Sequence, residues 1–68
     1  MIKFELDSSN EGVEILLDSR GVDELINYLH FIKDNQENFH LVAGNELNEE
    51  ASQNKNEIIK HVKLVYVE

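Results

Sequence analysis

The chain contains no cysteine, which removes disulfide staples, thiol nucleophiles and thiolate metal sites together. It is also short of bases: six Lys and Arg stand against fourteen Asp and Glu, a net charge of −8. That balance repels nucleic acid and anionic membrane as direct ligands and favours a basic partner. Its glycines, Gly12, Gly21 and Gly44, are too far apart for a phosphate-cradling loop, so nucleotide binding has no support. No apolar run approaches the roughly 20 residues that span a bilayer, and the opening Met1 to Glu5 holds no signal-peptide core. Together with the missing cysteine, this reads as cytoplasmic. Internal repeats, linkers and low-complexity tracts are absent as well.

Leu, Ile, Val and Phe fill 23 of the 68 positions, well above the roughly 20% below which charged chains stay disordered. Residues 1–68 therefore read as one small domain. A domain of this size buries only about 60% of its unfolded surface, and without disulfides its stability rests on packing, on a partner or on a second copy.

Ile2, Phe4 and Leu6 alternate with Lys3, Glu5 and Asp7, the period of a half-buried strand. After the polar stretch Ser8 to Gly12, Val13, Ile15 and Leu17 alternate again, which predicts an antiparallel hairpin. Asp18 and Ser19 are both suited to cap a helix over about residues 20–35, with Asp23 and Glu24 in its first turn. At 100° per residue, Val22, Leu25, Ile26, Leu29 and Ile32 form the core arc with Tyr28 at its edge, and Phe31 projects to the opposite side. Asn35 or Asn38 is placed to end the helix in the left-handed conformation. Phe39 to Ala43 reads as a third strand. Gly44 to Asn56 is a long polar loop with Leu47 and Ala51 as its apolar residues, and a loop this long is functional or mobile. Ile58 to Val67 reads as a last strand, apolar on both faces at its end. The predicted fold is α+β, ββαββ, with one helix on one face of a mostly antiparallel four-stranded sheet.

Chemistry of its own is not expected, and no catalytic residue is assigned. Ser8, Ser9, Ser19 and Ser52 sit in turn or cap contexts with no nucleophile elbow around them. His30, His40 and His61 lack the spacing of a zinc site, although His40 and His61 lie on strands able to be neighbours. Asp7 to Gly12 with Asp18 fits part of a calcium-loop pattern, but strands flank it where helices belong and Glu14 takes a position normally apolar. It reads as a hairpin turn, and we expect no metal and no cofactor. The acidic residues cluster: between Glu5 and Glu24 seven carboxylates accompany one base, Arg20, and the long loop adds Glu46, Glu49 and Glu50. They serve either as solvated faces or as a field that steers a basic partner.

His40-Leu41, then Gly44-Asn45-Glu46-Leu47 with Glu49-Glu50, then Asn56-Glu57-Ile58-Ile59-Lys60-His61-Val62-Lys63 resembles the immunity protein 32 family of bacterial polymorphic toxin systems. Leu17-Asp18, Gly21 and Asp23-Glu24-Leu25-Ile26 agree in kind. In that family a tryptophan and a glycine commonly precede the Gly-x-Glu-Leu segment, where this chain has Val42-Ala43-Gly44. The resemblance implies a small protein that binds and neutralises a cognate toxin, a basic one on charge grounds, by occlusion. It directs attention to Gly44, Asn45, Glu46, Leu47, Glu49 and Glu50 as the partner-binding segment, with Leu47 either an apolar anchor for the partner or a plug on the core. A different reading is a small acidic structural or oligomerisation domain with no toxin partner. One helix covers only one face of a sheet and Val65, Val67 and Phe31 are left without cover, so the expectation is a homodimer, the alternative being a monomer that reserves the same surface for the toxin.

Overall fold

The computed structural model describes every residue except Asn10, Gln53 and Asn54. Strand β1 (Ile2–Leu6) pairs antiparallel with β2 (Val13–Leu17), with Phe4 opposite Ile15 and Leu6 opposite Val13. The turn between them is built by Asp7, whose Oδ1 accepts from the Ser9 N–H at 3.1 Å, the Ser9 hydroxyl at 2.6 Å and the Glu11 N–H at 3.3 Å. Those local bonds, the Ser9 hydroxyl foremost, hold the Asp7 carboxyl below its ordinary pKa.

Helix α1 (Ser19–Asn35) follows, capped by Asp18, whose carboxylate accepts from the Gly21 N–H at 2.7 Å. The same oxygen holds the N-terminal ammonium at 2.6 Å, and this bond with the Gly21 cap lowers the Asp18 pKa. Gln36, not Asn35 or Asn38, takes the left-handed conformation at φ 53° and donates its N–H to Ile32.

The buried stripe of α1 is rotated from the predicted arc. Gly21 and Ile32 are buried and Leu25 and Tyr28 pack on the core, while Val22, Ile26 and Leu29 are 40%, 45% and 50% exposed. Aromatic packing explains the rotation. Tyr28 stacks on Phe39 at 4.7 Å and Phe31 meets the same ring edge-on at 5.7 Å, so the helix rolls toward the third strand.

The single four-stranded sheet is replaced by two smaller ones. Strand β3 (Phe39–Val42) pairs with β5 (His61–Leu64), and β1 pairs on its second edge with the two-residue β4 (Glu57–Ile58), giving the orders β2-β1-β4 and β3-β5. The chain changes partner between Ile59 and Lys60. The Ile59 N–H donates to Phe4 O at 2.9 Å, whereas Lys60 O accepts from the Ala43 N–H at 2.9 Å. Pairing with β1 goes no further because Asn48 has taken the next site, donating its N–H to Ile2 O at 2.8 Å. The last strand also ends early: Val65 and Val67 lie beyond β5 at 56% and 80% exposure.

Ile2, Phe4, Leu41 and Leu47 form the buried cluster, with Leu17, Leu25, Tyr28, Phe39, Ile59, Val62 and Leu64 packed around it. The face of β1 expected to meet solvent is covered too, with Lys3 8% and Glu5 1% exposed. The segment from Asn48 to Asn56 folds across it, the stretch Gln53-Asn54 lying outside the described residues. No helix among the described residues is long and apolar enough to cross a membrane.

Candidate functional site

The segment expected to bind a partner leaves β3 through a tight turn. Gly44, at φ 82°, makes a reversal that a side chain would strain. Val42 O accepts from the Asn45 N–H at 3.0 Å and the Leu47 N–H at 3.2 Å, and the Gly44 N–H donates to Leu47 O at 3.0 Å. Glu46 is tied down as well, its carboxylate accepting from the Val42 N–H at 3.1 Å. Leu47 points inward at 2% exposure and joins the core cluster. Its side chain is the plug, and it has no surface to offer a partner.

Five of the six predicted residues remain at the surface, and the structure brings Glu24 to them. Gly44, Asn45, Glu46, Glu49 and Glu50 line a shallow depression of about 360 Å³ with Glu24, Met1, Ile2, Asn48 and the Leu47 backbone turn. Four carboxylates border it, and its lining includes no lysine or arginine. Glu24 is paired with exposed Arg20 at 3.1 Å, and the ammonium of Met1 is taken by Asp18, so Glu46, Glu49 and Glu50 carry the field. Their field reaches the neighbouring Tyr28, whose phenol is pushed above its ordinary pKa, first by burial and then by Glu24 and Glu46. Sequence reasoning missed Glu24 because the helix roll that turns it toward the loop depends on Phe39.

Behind the loop lies a buried polar knot. Glu5 Oε1 accepts from Ser52 Oγ and Asn56 Nδ2, each at 3.1 Å, and the Asn56 amide also donates to Glu14 Oε2 at 3.2 Å. Lys3 Nζ stands 3.1 Å from Glu5 Oε2 and donates to Ala51 O at 3.3 Å. The Lys3 contact neutralises Oε2 as an ion pair, outside hydrogen-bond geometry, and that oxygen has no hydrogen-bond donor among the described residues. Burial, the largest influence on Glu5, would raise its pKa, but Asn56, Lys3 and Ser52 together outweigh it and hold the carboxyl below its ordinary value. The knot fastens the later part of the loop, Ala51 to Asn56, to β1. Lys3 and Glu5, opposite charges two apart on one strand, were the available signal, but alternation alone assigns them to solvent.

His40 and His61 do meet. Their rings stack at 5.0 Å, with His40 Nδ1 and His61 Nε2 2.7 Å apart in a hydrogen bond across β3 and β5. Among the described residues there is no group of three or more His, Asp or Glu arranged to hold a metal ion. In the calcium-like turn the flanking elements are strands, and Asn10, one of its positions, lies outside the described residues.

Compared with family models, with curated proteins and with solved structures, the chain matches none. The likeness to the immunity protein 32 family accordingly stands on the residues quoted for it alone.

Proposed function

We propose that this protein is a cytoplasmic immunity protein that binds a basic toxin and neutralises it by occlusion, without chemistry of its own. The observation that carries the reading is the depression, in which Glu46, Glu49 and Glu50 converge beside the Arg20-paired Glu24 with no lysine or arginine in the lining. Such a surface attracts a cationic patch and accelerates encounter at low salt. The fastening of the loop supports it further. A turn whose backbone and Glu46 carboxylate are already held loses less conformational entropy on binding than a free loop would. The family resemblance supplies the toxin as the kind of partner, and the net charge of −8 agrees with a basic one.

The test is co-purification with the product of the neighbouring upstream gene, followed by association kinetics across a salt series. Reversing Glu46, Glu49 and Glu50 to lysine is expected to slow association roughly tenfold or more and to flatten its salt dependence. Association that is unchanged in the triple variant, with undiminished protection of cells, removes the depression from the mechanism. A concentration-dependent homodimer that binds no such product supports the oligomerisation reading in its place.

A further inference from the structure

The strongest unassigned feature lies on the opposite side of the helix from the acidic depression. Strand β2 is the outer strand of its sheet, and its register with β1 puts Val13 and Ile15 on the same face as Leu6 and Phe4, the face that α1 covers. The helix does not reach them, and they are 53% and 49% exposed. Tyr28 and Phe31 hold one flank of α1 against β3, so Val22, Ile26 and Leu29 lie on the flank turned away from β3. Val13 and Ile15 thus leave apolar surface beside a free strand edge, and Val22, Ile26 and Leu29, also 40% exposed or more, add aliphatic surface on the helix.

The edge is chemically ready. Gly12 O accepts from the Asp7 N–H and the Asp18 N–H donates to Met1 O, one bond past each end of β1, so by alternation the even-numbered positions of β2 face β1 and the N–H and C=O groups of Val13, Ile15 and Leu17 face outward. Glu14 projects from the other face of the sheet, directly opposite Glu5 in the register. One Asn56 amide bridges the two carboxylates, and Glu14 remains exposed.

We propose that β2 receives an added antiparallel strand from a basic protein partner. Aliphatic residues of that strand pack against Val13 and Ile15, and a lysine or arginine between them meets Glu14. Charge selects this occupant over a second copy of the chain. Pairing β2 with itself about Ile15 would set Glu14 diagonally across from its own copy. No lysine or arginine lies between Phe4 and Ser19 to relieve that seam. A residue opposite Glu14 sits at a non-hydrogen-bonded position, where cross-strand side chains approach most closely. The inference rests on the reading that the partner is basic and adds a second contact to the one at the depression.

The probe is a capped nine-residue peptide alternating valine and lysine, compared with a block peptide of the same composition, both titrated to about 1 mM. Amide exchange and chemical shifts are read at Val13, Ile15 and Leu17. The alternating peptide is expected to protect those three amides and to lose roughly tenfold in affinity on Glu14→Lys. It is expected to lose binding on Ile15→Pro, which deletes an outward N–H that no strand in the free protein uses. Circular dichroism verifies that each variant is folded, and Ile26→Lys, on the helix flank, replaces any that is not. Equal binding of the block peptide, no protection at the three amides, or their protection by a concentration-dependent dimer without peptide overturns the proposal. Loss of toxin association through the Glu46, Glu49 and Glu50 variant, with β2 untouched by peptide, would leave the immunity reading standing and this one refuted.

Discussion

Replacing Gly21 by alanine pits two elementary effects against each other. In a helix the substitution ordinarily stabilises, by about 0.8–1.0 kcal/mol in an interior position and less in the first turn where Gly21 lies. Here the added methyl group would fall inside contact distance of the Met1 carbonyl oxygen and 2.7 Å from its carbon. Both are backbone atoms, so no rotamer change relieves the clash. Met1 cannot withdraw freely either. Its ammonium is held by Asp18 at 2.6 Å and its carbonyl accepts from the Asp18 N–H at 3.3 Å, while the same Asp18 carboxylate caps Gly21. Overpacking of this kind costs about 1–3 kcal/mol, which exceeds the propensity gain and leaves a net loss of roughly 1–2 kcal/mol. For a domain of 60–100 residues each kcal/mol moves Tm by about 4–8 °C, so Gly21→Ala is expected to melt roughly 5–15 °C below the parent. Thermal unfolding followed by circular dichroism measures it, with alanine at exposed Asn27 as the control for propensity alone. A Gly21→Ala protein that melts at or above the parent temperature would falsify the argument that close approach, rather than chain flexibility, selects glycine there.

Leu47→Ala removes a side chain 2% exposed in the core cluster and is expected to cost about 2–5 kcal/mol, enough to unfold much of so small a domain. Denaturant titration should show a far larger loss than for Glu49→Ala, and equal losses would return Leu47 to the surface. The Glu5 carboxyl has a depressed pKa in the fold, so its stabilising contribution is present above the ordinary carboxylate range and lost as pH falls through the lower folded value. Stability should therefore decline below about pH 4, where unfolded glutamate binds its proton, and Glu5→Gln should make that decline shallower while lowering stability at pH 7. Tyr28 should ionise above the ordinary tyrosine value of 10.0, and Glu46→Gln should bring its absorbance midpoint down. A midpoint indifferent to that substitution would mean that the Glu46 charge does not reach the phenol.

What the residues determine locally is the set of elements: period two wrote β1 and β2, and Asp18 started the helix because a carboxylate there accepts an otherwise unpaired N–H. Five of the six residues of the proposed partner segment were legible as surface in the same way. Tertiary structure decided everything that depends on residues far apart in the chain. Phe39 drew Tyr28 and Phe31 to itself and rolled α1, which turned Glu24 toward the loop and left Val22, Ile26 and Leu29 outside. Asn48 took the Ile2 carbonyl and thereby split the expected sheet in two. Ser52 and Asn56 closed over Glu5 and made an alternating strand buried on both faces. A local pattern reports which side chains share a face of their own element; which face is buried depends on what the rest of the chain can pack against it.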